Sequence, residues 1–198
     1  MNAKHKAWID DFGLRLAVLW LVLSLSVFQP ALAKPTQAQQ LKRATGIWQL
    51  GYYHHINGAY DSAIHFYQRS IAIHPTAEAY TLLGWALSYK DQFEKAIDAC
   101  KQAIKVDPDF GNPYNDIGAY LIALRREDEA VPWLEKATRA RRYCCYAFPW
   151  ANLGRIHLRN GRTDDARSAF NRALQYDSTN AVAQEGLSAI RDGRLPNY

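Results

Sequence analysis

The stretch YTLLGWALSYKDQFEKAIDACKQAIKVDP, residues 80–108, places an alanine, a bulky residue and a small residue 12, 16 and 19 positions after Gly84: Ala96, Cys100 and Ala103. The same offsets recur from Gly51 (Ala63, Tyr67, Ser70), from Gly118 (Ala130, Leu134, Ala137) and from Gly154 (Ala166, Phe170, Ala173). The four glycines lie 33, 34 and 36 residues apart, each preceded by an aliphatic residue: Leu50, Leu83, Ile117 and Leu153. A fixed period near 34 means stacked copies of one small unit instead of one compact core.

Within each unit the +12, +16 and +19 positions follow an i, i+4, i+7 spacing, one face of an α-helix (helix B). The aliphatic–glycine pair ends a similar face on an earlier helix (helix A), with Ile47, Tyr80, Tyr114 and Trp150 three residues before the aliphatic one. A glycine inside a helix costs about 1 kcal/mol relative to alanine. Four of them in register imply that the two backbones approach closely, with the glycine set against the alanine of helix B. Between the helices lie Asn57-Gly58, Lys90-Asp91, Arg125-Arg126 and Asn160-Gly161, each followed by an acidic residue suited to the positive end of helix B. Pro75 and Pro108 close the first two copies.

This pattern resembles the tetratricopeptide repeat, whose signature is a large residue, Leu-Gly, an aromatic, Ala, Phe, Ala and then Pro over about 34 residues. The second copy carries Tyr80, Leu83, Gly84, Leu87, Ala96, Cys100, Ala103 and Pro108. The third and fourth depart at the closing proline, where Arg142 and Ser178 stand, and the third holds about two extra residues. The resemblance implies an all-α, right-handed superhelical solenoid of four helix-turn-helix repeats: residues 44–76, 77–110, 111–146 (with the insertion) and 147–180. Residues 181–192 read as a capping helix, with Val182, Leu187 and Ile190 inward and Gln184, Glu185 and Arg191 outward.

The amino terminus reads differently. Lys4, Lys6 and Arg15 precede an apolar run from Leu16 to Phe28, followed by Pro30 and Ala31-Leu32-Ala33. That order matches a secretory signal peptide, residues 1–33, cleaved after Ala33. The run is short of the roughly 20 residues that span a bilayer. An uncleaved membrane anchor is the alternative. Either way the repeats are expected outside the cytosol, in a bacterial periplasm or envelope, or secreted. Residues 34–43 read as a linker, with the polar stretch 33–40 as a loose tether.

The chain carries a net charge of +5, with Arg139, Arg141 and Arg142 close together. Export and interleaved acids argue against nucleic acid as a partner, and the arginines read as a solvated helix end. His54 and His55 point about 100° apart on a helix and cannot easily share an ion. His54 and His157 instead occupy an aromatic packing position. No metal, cofactor or catalytic group is expected, since no G-x-S-x-G, phosphate loop or C-x-x-C occurs.

Cys100 falls on a packing position, whereas Cys144 and Cys145 lie adjacent in the aromatic insertion. The plain reading of that insertion is a plug between the third and fourth repeats. A thiol-dependent redox protein, or one that self-associates through an end face locked by Cys144 or Cys145, is the alternative.

By the resemblance, helix A residues not used in packing line a concave groove for a protein or peptide. These are Trp48, Tyr52 and His55 in the first copy; Glu78, Thr81, Trp85 and Ser88 in the second; Asn112, Asn115, Ala119 and Ile122 in the third; and Phe148, Asn152, Arg155 and Arg159 in the fourth. Trp48 and Tyr52 stand where a carboxylate-gripping variant of the family has its first lysine and asparagine, so that clamp is absent. The expectation is a non-catalytic scaffold in the cell envelope.

Overall fold

The computed structural model describes residues 34–193, and the signal-peptide reading falls on residues outside that range. Residues 37–193 form nine α-helices: α1 (Gln37–Ile56), α2 (Tyr60–Ile73), α3 (Ala77–Ser88), α4 (Phe93–Val106), α5 (Asn112–Ala123), α6 (Glu127–Ala137), α7 (Ala147–Arg159), α8 (Thr163–Tyr176) and α9 (Ala181–Arg191). Each odd–even pair from α1 to α8 is an antiparallel hairpin, each hairpin packs on the next, and α9 covers α8. The fold is an all-α right-handed superhelical solenoid with a terminal capping helix. None of the described helices is long and apolar enough to cross a membrane.

The repeated positions of helix B build its core. The alanines at +12, the bulky residues at +16 and the small residues at +19 are all fully buried in every copy. The glycines of helix A also face the bulky residue of helix B. A Cβ at Gly118 would lie 2.4 Å from Leu134 Cδ2, one at Gly154 2.5 Å from the Phe170 ring, and one at Gly51 2.8 Å from the Tyr67 ring. The glycine therefore makes room for the bulky +16 side chain. At Gly84, where Cys100 is smaller, the alanine backbone is close as well, with Ala96 O at 3.2 Å, as the register implies.

Local chemistry sets the ends. Thr76 Oγ1 accepts from Ala79 N (3.1 Å) at the start of α3, and Asn180 Oδ1 from Ala183 N (3.0 Å) at the start of α9. The even-numbered helices lack a side-chain cap and carry acids in their first turn: Asp61, Glu94, Glu127 to Glu129, Asp164 and Asp165. Those acids also reach forward to the next repeat. Asp61 pairs with Lys90, Glu94 with Arg126 (2.6 Å) and Glu127 with Arg159, a ladder along the turn edge of the stack.

Two expectations need correction. Residues 37–40 are the first turn of α1 instead of a loose tether: Ala38, Gln39, Gln40 and Leu41 are competent helix formers that run straight into the packed helix. Arg142 does not end a solvated helix. Its guanidinium bonds Glu78 at 2.8 Å and Asp107 at 2.6 Å and lies 4.1 Å above the Phe110 ring. Backbone bonds from Gly111 N to Arg142 O (3.0 Å) and Arg142 N to Asp109 O (2.9 Å) fix it there. The insertion thus folds back over the second repeat. It also packs Tyr143 against Gly111, where a Cβ would meet the Tyr143 side chain at 2.4 Å, and stacks Tyr146 near Tyr176.

Candidate functional site

Helices α1, α3 and α5 lie side by side, and their shared face carries a cavity of about 300 Å³. Its lining is Trp48 and Tyr52 from α1, Glu78, Thr81, Leu82 and Trp85 from α3, Phe110 from the loop before α5, and Asn112 from α5. Six of these are residues that the sequence places in a groove. Leu82 and Phe110 are additions. Leu82 sits two residues before Gly84, in the register of Asn152 of the fourth copy, and Phe110 lies in an inter-repeat loop that helical periodicity does not reach.

The walls are held from behind. Trp85 Nε1 donates to Asp116 Oδ2 at 2.5 Å, and Asn115 Nδ2 donates to Asp116 Oδ1 at 3.4 Å. Asp116 is buried without a basic partner among the groups that perturb it. Desolvation outweighs those two hydrogen bonds and pushes its carboxyl up to about 7. Sequence reasoning missed Asp116. The available signal was a carboxylate at the register that Leu82 and Asn152 fill in neighbouring copies. Glu78 points its charge at Arg142, so the cavity mouth is electrostatically paired, and what remains is an apolar pocket rimmed by amide and carboxylate.

Other expected groove residues go elsewhere. His55 is buried, enclosed by the rings of Tyr52, Tyr60, Tyr67, Trp85 and Tyr89 at centroid distances of 5.2–6.5 Å. Desolvation lowers its pKa, so it serves as a neutral packing ring under the groove. Thr81 touches the cavity but turns its hydroxyl inward, donating to Ala77 O at 2.8 Å. Ile122 is buried in the central core. Asn152 Nδ2 donates to Asn115 Oδ1 at 3.4 Å, extending the amide row to the fourth repeat. Phe148 is exposed, Arg159 is committed to Glu127, and Arg155 is half-buried; none of the three lines the cavity. His54, as expected, packs like an aromatic, stacked on Phe66 at 5.0 Å.

Cys100 is buried against Gly84, and burial raises its thiol well above the ordinary range. Cys145 is pushed up to about 11 by burial and by its neighbour Cys144, opposite to the lowering that makes a thiol reactive. Among the described residues no three His, Cys, Asp or Glu side chains come together as a metal site.

Residues 77–110, 112–144 and 147–180 each match a family model described as tetratricopeptide repeat. Small glutamine-rich tetratricopeptide repeat-containing protein 2 of Mycosarcoma maydis is 37% identical over 78 residues, 39% of this chain and 22% of the relative. The chain spans about a fifth of the length of the curated relatives it matches. The structure of Pseudomonas aeruginosa PilF superposes with a TM-score of 0.73 at 19% identity, covering 78% of this chain and 70% of that one. The structure of PilW, described as a widely conserved type IV pilus biogenesis factor, gives 0.68 at 20% identity over 75% of this chain and 69% of its own. At these identities the two structures establish a shared fold.

Proposed function

Because the chain belongs to the tetratricopeptide repeat family, we propose that it is a non-catalytic adaptor that captures a segment of another protein on the face shared by α1, α3 and α5. One observation carries this reading: the cavity among Trp48, Tyr52, Leu82, Trp85 and Phe110 has the size of one large side chain and is walled by aromatic groups. Aromatic anchors in a concave site supply most of the affinity, and the amides Asn112 and Asn115 supply register along a bound backbone. The occupant is a polypeptide presenting one bulky apolar residue, with further contacts along the amide row toward Asn152. Single-repeat contacts are weak, and several repeats engaging one ligand raise the affinity.

The setting is a bacterial envelope or periplasm, a reading that rests on the amino-terminal sequence. Assembly of an envelope complex suits an exported adaptor of this size.

A display selection of random peptides against the full chain tests the site. Binders are expected to share one large apolar residue, and their affinity should fall at least tenfold with Tyr52→Ala and Leu82→Asp, with helical content unchanged. Binders indifferent to both substitutions, or none selected, would remove the groove from consideration.

A further inference from the structure

The repeats bury one particular face of helix A, and among the described residues the first repeat leaves that face without a covering helix. Counting from the register glycines, Gly46, Leu50 and Tyr53 of α1 correspond to Ala79, Leu83 and Ala86 of α3. They correspond likewise to Pro113, Ile117 and Tyr120 of α5, and to Pro149, Leu153 and Ile156 of α7. In α3, α5 and α7 the preceding hairpin covers these positions wholly or in part: Leu83 is half-buried, Ile117 is 0% exposed, Leu153 3%, Ala86 0% and Ile156 1%. In α1 Leu50 is 45% exposed and Tyr53 61%. Ile56, one turn beyond Tyr53, is 62% exposed and continues the stripe. The other end of the stack is finished differently, since α9 turns Gln184, Glu185 and Arg191 outward.

Gly46 adds an independent observation. Glycine in a helix interior costs about 1 kcal/mol, and at Gly51, Gly84, Gly118, Gly154 and Gly186 the chain's own side chains occupy the space of a Cβ. At Gly46 nothing lies within 4 Å. Among the described residues no contact explains that missing side chain.

We propose that two copies of this chain pair through this face, α1 against the partner's α1 in antiparallel fashion about a two-fold axis near Leu50. The repeat-to-repeat interface thereby continues across the molecular boundary. A two-fold contact must be self-complementary, and this face is. With Leu50 on the axis, the notch at Gly46 receives the partner's Tyr53, and Tyr53 enters the partner's notch. Lys42 and Arg43 flank the same stripe one turn earlier, which brings them to the carboxyl-terminal turn of the partner's α1, where the helix dipole favours positive charge. Head-to-tail stacking would set the apolar stripe against the polar outer face of α9. The apposition leaves the cavity on α1, α3 and α5 outside its contact, so it stands independently of the adaptor reading.

Sedimentation of the full chain across micromolar concentrations, with and without reductant, is the test. A dimer is expected that persists in reductant and weakens at least tenfold with Leu50→Lys or with Gly46→Ile. Circular dichroism of both variants should stay that of the parent, because both positions are exposed. In a Cys144→Ser, Cys145→Ser background, Leu50→Cys should form an intermolecular disulfide, and Glu185→Cys at the other end should not. A monomer at all concentrations overturns the proposal, whether because another segment or partner covers the face or because nothing does. So does a dimer that survives Leu50→Lys, one that disappears with Cys144→Ser alone, or one cross-linked through Glu185→Cys.

Discussion

Asp91 and Arg125 hold the same left-handed turn that Gly58 and Gly161 hold in the first and fourth repeats, with φ of 57° and 61° against 75° and 71°. All four stand seven residues after a register glycine, where each helix A must stop and reverse into helix B. A residue with a Cβ pays roughly 1–2 kcal/mol for that backbone region, partly offset by glycine's greater freedom in the unfolded chain. Asp91→Gly and Arg125→Gly are therefore expected to stabilise the protein by about 0.5 kcal/mol each, and the pair additively, since the two turns are separate sites. Denaturant unfolding checks this. Lower midpoints in both variants would mean that the side chains hold the turns in a way the backbone does not reveal.

At the scale of elements, the junction of α3 and α5 is where the stack is tunable. Asp116 of α5 faces Cys100 of α4, Tyr120 of its own helix and Tyr143 of the insertion, and accepts from Trp85 of α3. Its folded value of about 7 lies above its ordinary 3.8, so the folded state keeps a proton that the unfolded chain has released. Its contribution to stability is complete below pH 4 and is lost as pH rises to about 7. The loss is on the order of 4 kcal/mol. Asp116→Asn should remove this slope and be the more stable protein at pH 8, because an amide oxygen still accepts from the indole. Urea titrations at pH 5 and pH 8 decide the matter: equal pH dependence in the two proteins would mean the carboxylate is solvated. His55 and His157 work in the opposite sense. Burial lowers both pKa values, so their contribution declines as pH falls below about 6.5, and that limb should remain in the variant.

For the molecule as a whole, stability passes from neighbour to neighbour along a stack, so the ends matter out of proportion to their size. The Phe170 ring lies between Gly154 and Gly186; a Cβ at Gly186 would stand 2.3 Å from it. Ending the chain after Asn180 would expose that ring and the apolar side of α8. The expected result is faster amide exchange in α7 and α8, with α3 to α5 protected as before, read by hydrogen–deuterium exchange. Uniform loss of protection would show one cooperative unit in place of a stack.

The four-fold spacing of glycine, alanine and bulky residues was enough to derive the helices, their pairing and the buried faces. Each of those follows from contacts within one turn or between two adjacent helices, which short-range periodicity encodes. Six of the eight cavity residues were legible through the resemblance to the repeat family, carried over by position and not from periodicity alone. Leu82 and Phe110 were not, nor was the burial of His55, nor Asp116 behind Trp85. Arg142 reaches Glu78 across 64 residues, and Trp85 reaches Asp116 across 31. Such meetings depend on how far each hairpin rotates on the last and on where an irregular insertion folds back. A repeating pattern, identical in every copy, carries no information about what happens where a copy breaks the pattern or where the stack begins. The tertiary structure decided those points, because only the assembled stack shows which faces found a neighbour.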